Sequence, residues 1–304
     1  MNGVLIIDKP AGLTSHDVVN RARRILQERS IGHLGTLDPM ATGVLPLVTG
    51  TLTRLAQFYT GSEKAYEGTV RFGFATDTYD AEGEPTTTPQ TVNLRAEEVE
   101  AVAGRFRGVL EQTPPPFSAK KIHGVPAYKL ARQQKNVLLQ PVQVEIKEFV
   151  ILGVEVDRAR FRARVASGTY MRSVAHEMGR ELACGAHLES LRRTSVAEFN
   201  LEDAHTLDEV AGAAAASGSS SLDDLFIHPR KLLPQFPSVT ADEPTAARIR
   251  SGRAVNLSEL SRARQVKVFS GQRELIAIAT RVAGTLFHPK IVLRGAEASV
   301  RLLI

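Results

Sequence analysis

The chain has a single cysteine, Cys184, so no disulfide forms within it, and that scarcity suits a reducing compartment. No apolar run approaches the length needed to cross a bilayer, and the opening MNGVLIIDKP is broken by Asp8 and Lys9 before a signal-peptide core could form. The expectation is therefore a cytoplasmic protein with no membrane partner. Metal-binding patterns are missing too. His176-Glu177-Met178-Gly179-Arg180 opens like a zinc-protease helix but has Arg180 where the second histidine must stand. Cys184 and His187 lack a second ligand pair at finger-like spacing, and the acids between Thr76 and Gly83 do not have the spacing of a calcium loop. Ser15-His16-Asp17 is a hydrolase triad only as letters, because consecutive residues at a helix start point in different directions. No metal is expected.

With 304 residues, 43% of them apolar, the chain can bury a sizeable core and hold two domains. Its charge is uneven. Met1 to Phe236 carry 27 Lys and Arg against 28 Asp and Glu, whereas Pro237 to Ile304 carry 11 against 5. Nucleic acid is the natural partner for such a basic segment, since neutralising phosphates releases counterions; a solvated basic surface is the other reading. Short strands near Val266, Leu275 and Ile291 and a helix from about Pro244 to Ser251 suit a small β-barrel there. The alanine- and serine-rich stretch from Ala211 to Ser221 reads as surface loop or frayed helix, and Arg230 to Pro237 as a linker.

Gly32 to Gly43, GHLGTLDPMATG, cannot be an ordinary helix. Glycines permit angles closed to other residues and Pro39 bars Asp38 from the helical region, so Asp38 sits on a stiff loop, either as a catalytic carboxylate or closing an Asx turn. Thr14 and Asp17 form a capping box ahead of a helix from about Ser15 to Arg29, and a second helix is expected near Ala96 to Arg107. From Tyr66 the pattern alternates as a strand with one apolar face, and Tyr66, at its start, either reaches a cleft or joins the core. Arg158, Arg160, Arg162 and Arg164 share one strand face, a phosphate-binding stripe or a solvated one. Arg172 falls in the first turn of a helix, where the dipole disfavours a cation by roughly 0.3 to 1 kcal/mol. A buried carboxylate would compensate, Asp38 being one candidate.

Several of these segments, in this order, resemble the bacterial TruB-type tRNA pseudouridine-55 synthases. The marks are Asp8-Lys9-Pro10, Gly35 to Gly43, Lys64-Ala65-Tyr66, Thr76-Asp77-Thr78 with Asp80, Ser118-Ala119 with Lys121, Ser167 to Arg172, and Leu191-Arg192-Arg193. Phe117 departs from the family, which usually has tyrosine there. The resemblance implies an α+β fold, a mixed, largely antiparallel sheet flanked by helices, with a small C-terminal β-barrel of the PUA kind. It implies a catalytic domain over 1–232, with an RNA-gripping insertion at about 118–140, and an RNA-binding domain over 237–304. The implied reaction turns the T-loop uridine of tRNA into pseudouridine without cofactor or metal. Asp38, Tyr66 and Arg172 would be catalytic, and His33, Asp80, Tyr170, Leu191, Lys9 and Lys121 would bind the substrate. The enzyme would act as a monomer on the T-arm with no obligatory protein partner. A guide-RNA-dependent synthase, an RNA-binding module without catalysis and a carboxylate-pair glycosidase are the alternatives, the last weakened because Asp38 has no acid partner in its motif.

Overall fold

The alternating strand that starts near Tyr66 and the arginine strand are neighbours in one large mixed sheet. The computed structural model describes residues 1–118, 120–122, 124–133, 139–216, 222–258 and 262–293. Its elements run β1 (Gly3–Lys9), α1 (Ser15–Leu26), β2 (Ile31–His33), β3 (Thr42–Thr49), a 3-10 helix (Gly50–Phe58), β4 (Lys64–Phe72), α2 (Ala96–Gly104), β5 (Gly108–Gln112), β6 (Lys121–Ile122), β7 (Val125–Pro126), α3 (Ala127–Arg132), β8 (Val142–Glu155), β9 (Arg158–Val165), α4 (Met171–Glu181), β10 (Ala186–Val196), β11 (Phe199–Asn200), β12 (Ala204–His205) and α5 (Leu207–Ala215). The C-terminal part adds β13 (Ser238–Ala241), α6 (Glu243–Arg250), β14 (Val255–Asn256), β15 (Gln265–Ser270), β16 (Glu274–Ala283) and β17 (Leu286–Val292).

The large sheet is ordered β12-β1-β3-β10-β4-β9-β8-β5, with β2 on β3 and β11 on β10. Only β1 with β12 and β3 with β10 pair in parallel within it. Strands β1 and β3 are buried on both faces, which is why they read as unbroken apolar runs. Leu5, Ile7, Leu45 and Leu47 face α1, α4 and α5, while Val4, Ile6, Val44 and Val48 face Leu52 and Leu55 of the 3-10 helix. That second layer also holds Phe269, Leu275, Ile278 and Ile291, so the C-terminal sheet shares a core with the first. Its own order is β13-β15-β16-β17-β14, curled as a half-barrel over α6. The join is polar as well as apolar. Lys267 Nζ donates to the carbonyls of Arg230 (2.9 Å) and Leu232 (2.7 Å), and Arg54 donates to Val292 O at 2.6 Å.

Local chemistry sets the element ends. Thr14 and Asp17 cap α1 reciprocally, as expected, but the helix stops at Leu26 because Gln27 turns left-handed (φ 49°). Helix α2 ends at Gly104 rather than near Arg107. Thr206 and Glu209 form a capping box that starts a helix over Leu207 to Ala215, so the first part of the stretch from Ala211, which composition reads as loop or frayed helix, is helical; 217–221 lie outside the described residues. The described part of the insertion is the β6–β7 hairpin and α3; residues 134–138 lie outside the described ones, as does the Lys121 side chain.

The arginine strand is not a free phosphate stripe. Arg158 pairs with Glu189 and Asp157, Arg162 with Glu148, and Arg164 with Glu63 and Glu148, so three of the four arginines are met by acids from β8, β10 and the flanking turns. These exposed pairs add little stability. Their effect is on the field the face presents.

Strand β3 enters the sheet through Gly43, at φ +99°, where a Cβ would lie 2.2 Å from the backbone oxygen of Arg193 on β10. Gly43→Ala therefore combines backbone strain with a backbone clash, and we expect it to destabilise the fold by about 3 kcal/mol. Urea denaturation measures this; an unchanged midpoint would contradict the close approach.

Candidate active site

The loop between β2 and β3 carries Asp38, and every carbonyl from Gly35 to Pro39 has a partner. Arg193 donates to Gly35 O (3.0 Å) and Thr36 O (3.1 Å), and the Ser15 hydroxyl donates to Leu37 O (3.1 Å) while accepting from Leu37 N (2.8 Å). Asp38 O accepts from Ala41 N (3.1 Å), and Pro39 O accepts from Gly12 N (2.9 Å) and Lys9 Nζ (3.1 Å). A loop with no unpaired carbonyl has little freedom to rearrange. Asp38 is thus held on a rigid turn with its carboxylate about a third exposed (37%).

That carboxylate meets α4. Arg172 Nε lies 2.9 Å from Asp38 Oδ2, an ion pair in which the N–H is not aligned as a hydrogen bond. The rest of the guanidinium is fixed by Thr78 O (3.0 Å), Phe117 O (3.0 Å) and Asp80 Oδ2 (3.5 Å). Its side chain is 5% exposed, so the cation at a helix start is compensated by a carboxylate, as the sequence requires. Asp80 is itself buried and accepts from Thr78 Oγ1 (2.6 Å) and Glu82 N (3.1 Å). Helix α4 has no side-chain cap, and Gln112 clamps its N-cap residue instead, accepting from Tyr170 N (2.8 Å) and donating to Tyr170 O (3.1 Å).

Asp38 opens into a pocket of about 400 Å³ whose walls include His33, Lys64, Tyr66, Tyr170 and Leu191. Of the sequence-derived site residues His33, Tyr66, Tyr170 and Leu191, with Asp38 and Arg172, converge; Asp80 lies behind Arg172 and does not line the pocket. Lys9 is fully buried, with Nζ donating to Pro10 O, Leu13 O and Pro39 O at 2.8, 2.6 and 3.1 Å. Its ammonium is committed to backbone, which makes it a brace for the loop in place of the substrate contact expected.

Burial pushes the Tyr66 hydroxyl upward in pKa, and the Arg193 guanidinium beside it pulls the other way. Burial also lowers His33, whose Nδ1 has no hydrogen-bond partner, and raises Tyr170. Lys64 is lowered to about 8 by burial and then by Arg193. Lys64 and Arg193 are the site residues that residue-by-residue reading passed over, although both stand inside quoted motifs. Two isolated cations flanking glycine- or leucine-containing segments give no signal of where they meet. Among the described residues, no group of three or more His, Cys, Asp or Glu side chains converges as metal ligands.

Two family patterns together match most of the chain. The pattern of the TruB family pseudouridylate synthase N-terminal domain matches residues 23–171, and that of the tRNA pseudouridylate synthase B C-terminal domain matches 172–230. A tRNA pseudouridine synthase B of Solibacter usitatus is 50% identical over 296 residues, covering 96% of this chain and all of the relative. The one of Aquifex aeolicus is 37% identical over 295 residues, with 96% and 100% covered. Among solved structures, an H/ACA RNP bound to a substrate RNA containing 2'-deoxyuridine superposes with a TM-score of 0.71 at 22% identity, over 96% of this chain and 85% of that one, a likeness of fold. With identity at this level along nearly its whole length, the chain belongs to the TruB family of pseudouridylate synthases.

Proposed function

We propose that this chain isomerises the T-loop uridine of tRNA, position 55, to pseudouridine, acting alone in the cytoplasm. The observation that carries the reading is a partly exposed carboxylate, Asp38, fixed by a buried arginine on a loop with no free carbonyl and opening into a pocket of nucleoside size. The N-glycosidic bond is cut, the uracil turns, and its C5 bonds to ribose C1′. That sequence needs one carboxylate within reach of both sugar and base and held in orientation, and Arg172 supplies the holding. Tyr66 stacks on the uracil, and its hydroxyl oxygen takes the C5 proton at the end, the C–H electron pair restoring the ring double bond. Leu191 and Tyr170 wall off water that would hydrolyse the cleaved sugar.

A uridine inside a folded loop must be flipped out to reach Asp38, and His33 beside the loop fills the space it leaves. The basic segment 237–304, with Arg253, Arg262 and Arg264 exposed, acts as the PUA-like grip on another part of the tRNA. Because its sheet shares a core with β1 and β3, that grip is set at a fixed place relative to the pocket.

The direct test is tritium release from tRNA transcript labelled at uracil C5. We expect turnover with the wild-type protein and none with Asp38→Asn, while binding of the same tRNA stays within about threefold, since the amide keeps the side chain's shape and Arg172 keeps Thr78 O, Phe117 O and Asp80. Full turnover by Asp38→Asn would sink the mechanism. Deleting 237–304 would strip a shared core, so the grip is better tested by replacing Arg253, Arg262 and Arg264 with serine. KM for whole tRNA should then rise and lose part of its salt dependence, with KM for an isolated T-arm hairpin unchanged. The pocket also carries a pH signature. Lys64, held down to about 8, loses its charge as the pH rises past that value, so KM should climb on the alkaline side by roughly tenfold, the worth of one charge-assisted hydrogen bond. In Lys64→Arg, whose cation persists, that limb should vanish.

A further inference from the structure

Beneath the pocket, on the central strand β10, Arg193 is fully buried (0% exposed) and has no carboxylate within ion-pair distance among the described residues. Its Nε donates to Val44 O (2.8 Å), just after the Asp38 loop, and its two terminal nitrogens donate to Gly35 O and Thr36 O, near the loop's start. One planar fork thus closes the loop from both ends, something a point-like ammonium cannot do. Two N–H groups remain, and the Tyr66 hydroxyl, opposite Arg193 in the β4–β10 pairing, lies against the guanidinium.

A buried arginine is ordinarily matched by an acid, because an uncompensated charge in a low-dielectric interior is costly. Here the partners are carbonyl dipoles and a phenol. The charge is therefore left unneutralised on the side that faces the pocket. Resting on the pseudouridine synthase reading above, we propose that Arg193 is a positioning residue with two tasks: its fork fixes the Asp38 loop, and its unpaired charge supports the negative oxygen that Tyr66 must present to the substrate's C5 proton. The hydroxyl first gives its proton to pocket water; the resulting oxygen anion, held by Arg193, then takes the C5 proton and returns to the phenol. No further reactant is needed.

The groups facing this pair are accounted for on every side. Asp38, from the loop, opposes ionisation of Tyr66, and Arg193 favours it. Around Arg193 itself, His33 on β2, Lys64 on β4 and Lys9 on β1 are like charges, each held down in part by it. Tyr59 supplies an internal contrast. It also lines the pocket and is also buried, but its hydroxyl donates to the Glu198 carboxylate at 2.6 Å, so its ionisation is opposed by both burial and charge.

The experiment uses the full chain with fluorotyrosine at its five tyrosines, Tyr59 and Tyr66 assigned by Tyr→Phe variants, and fluorine NMR read against pH. In the wild-type protein Tyr66 should titrate before Tyr59; the reverse order overturns the proposal. In Arg193→Gln, which removes the charge, the Tyr66 transition should move up by about one pH unit or more, and kcat should fall about a hundredfold, the loss expected of one preorganised charge-stabilising donor, with KM for a T-arm hairpin nearly unchanged. Arg193→Lys keeps the charge but not the fork. Its Tyr66 transition should stay near that of the wild type while kcat falls about tenfold from the loosened loop. A Tyr66 transition that ignores Arg193→Gln, or full kcat in Arg193→Lys, defeats the proposal. Should the glutamine variant not fold, the order of the two tyrosines and the lysine variant still decide. Absence of tritium release from the wild-type protein would instead defeat the pseudouridine synthase reading, leaving the tyrosine titration to be judged separately.

Discussion

The ion pair of Asp38 with Arg172 is the contact on which the architecture converges. A guanidinium that is nearly fully buried, at a helix start where the dipole is already positive, is sustainable only if its nitrogens all find negative ends. Asp38, Asp80 and the carbonyls of Thr78 and Phe117 supply them, from three separate parts of the chain. The pair works in the other direction too. Because Arg172 is fixed by Thr78 O, Phe117 O and Asp80 independently of Asp38, it can orient a carboxylate that is still one-third open to the pocket. The rigid loop under Asp38 serves the same end, its carbonyls being tied to β1, α1, β10 or, for Asp38 itself, to Ala41 N within the loop.

The second constraint is the double burial of β1 and β3. One face holds the helices that carry Ser15 and Arg172, and the other holds the 3-10 helix and the C-terminal half-barrel. The pocket is therefore wired to the C-terminal sheet by short contacts. Tyr59, in the pocket wall, donates to Glu198; Glu198 accepts from Leu233 N at 2.8 Å; and Lys267 of β15 holds the carbonyl of Leu232. A nucleic acid held by the half-barrel is accordingly presented to the pocket through a continuous packed body, with no free linker between the two.

Much of this was legible in the sequence. Strands β4 and β9 announce themselves by period two, α1 by its capping box, the Asp38 loop by glycines and Pro39, and the need of Arg172 for a carboxylate by its place at a helix start. The central strand β10 was not legible, for a physical reason. It bends at two bulges, after Leu188 and after Arg193, which shift its faces, and it turns an arginine into the core, so its alternation is broken where it matters most. The arginine face of β9 misled because its neutralising acids, Glu63, Glu148 and Glu189, come from other parts of the chain. Lys9 became a brace in place of a site group for a similar reason, its partner Pro39 being 30 residues away.

The two buried arginines near the pocket divide the electrostatic work by the company they keep. Arg172 faces two carboxylates, so its field is largely cancelled beyond them and its influence is local and geometric. Arg193 faces carbonyl oxygens, whose dipoles do not cancel a full charge, and its field reaches His33, Lys64 and Tyr66 in the pocket wall. Burial, and after it this charge, pushes Lys64 and His33 toward their neutral forms, while at Tyr66 the charge partly offsets the burial that holds the phenol protonated. These opposite effects on bases and acid are what one unpaired positive charge adds to burial in a low-dielectric site, and they follow from placing the acids of this pocket on α4's arginine and none on that of β10.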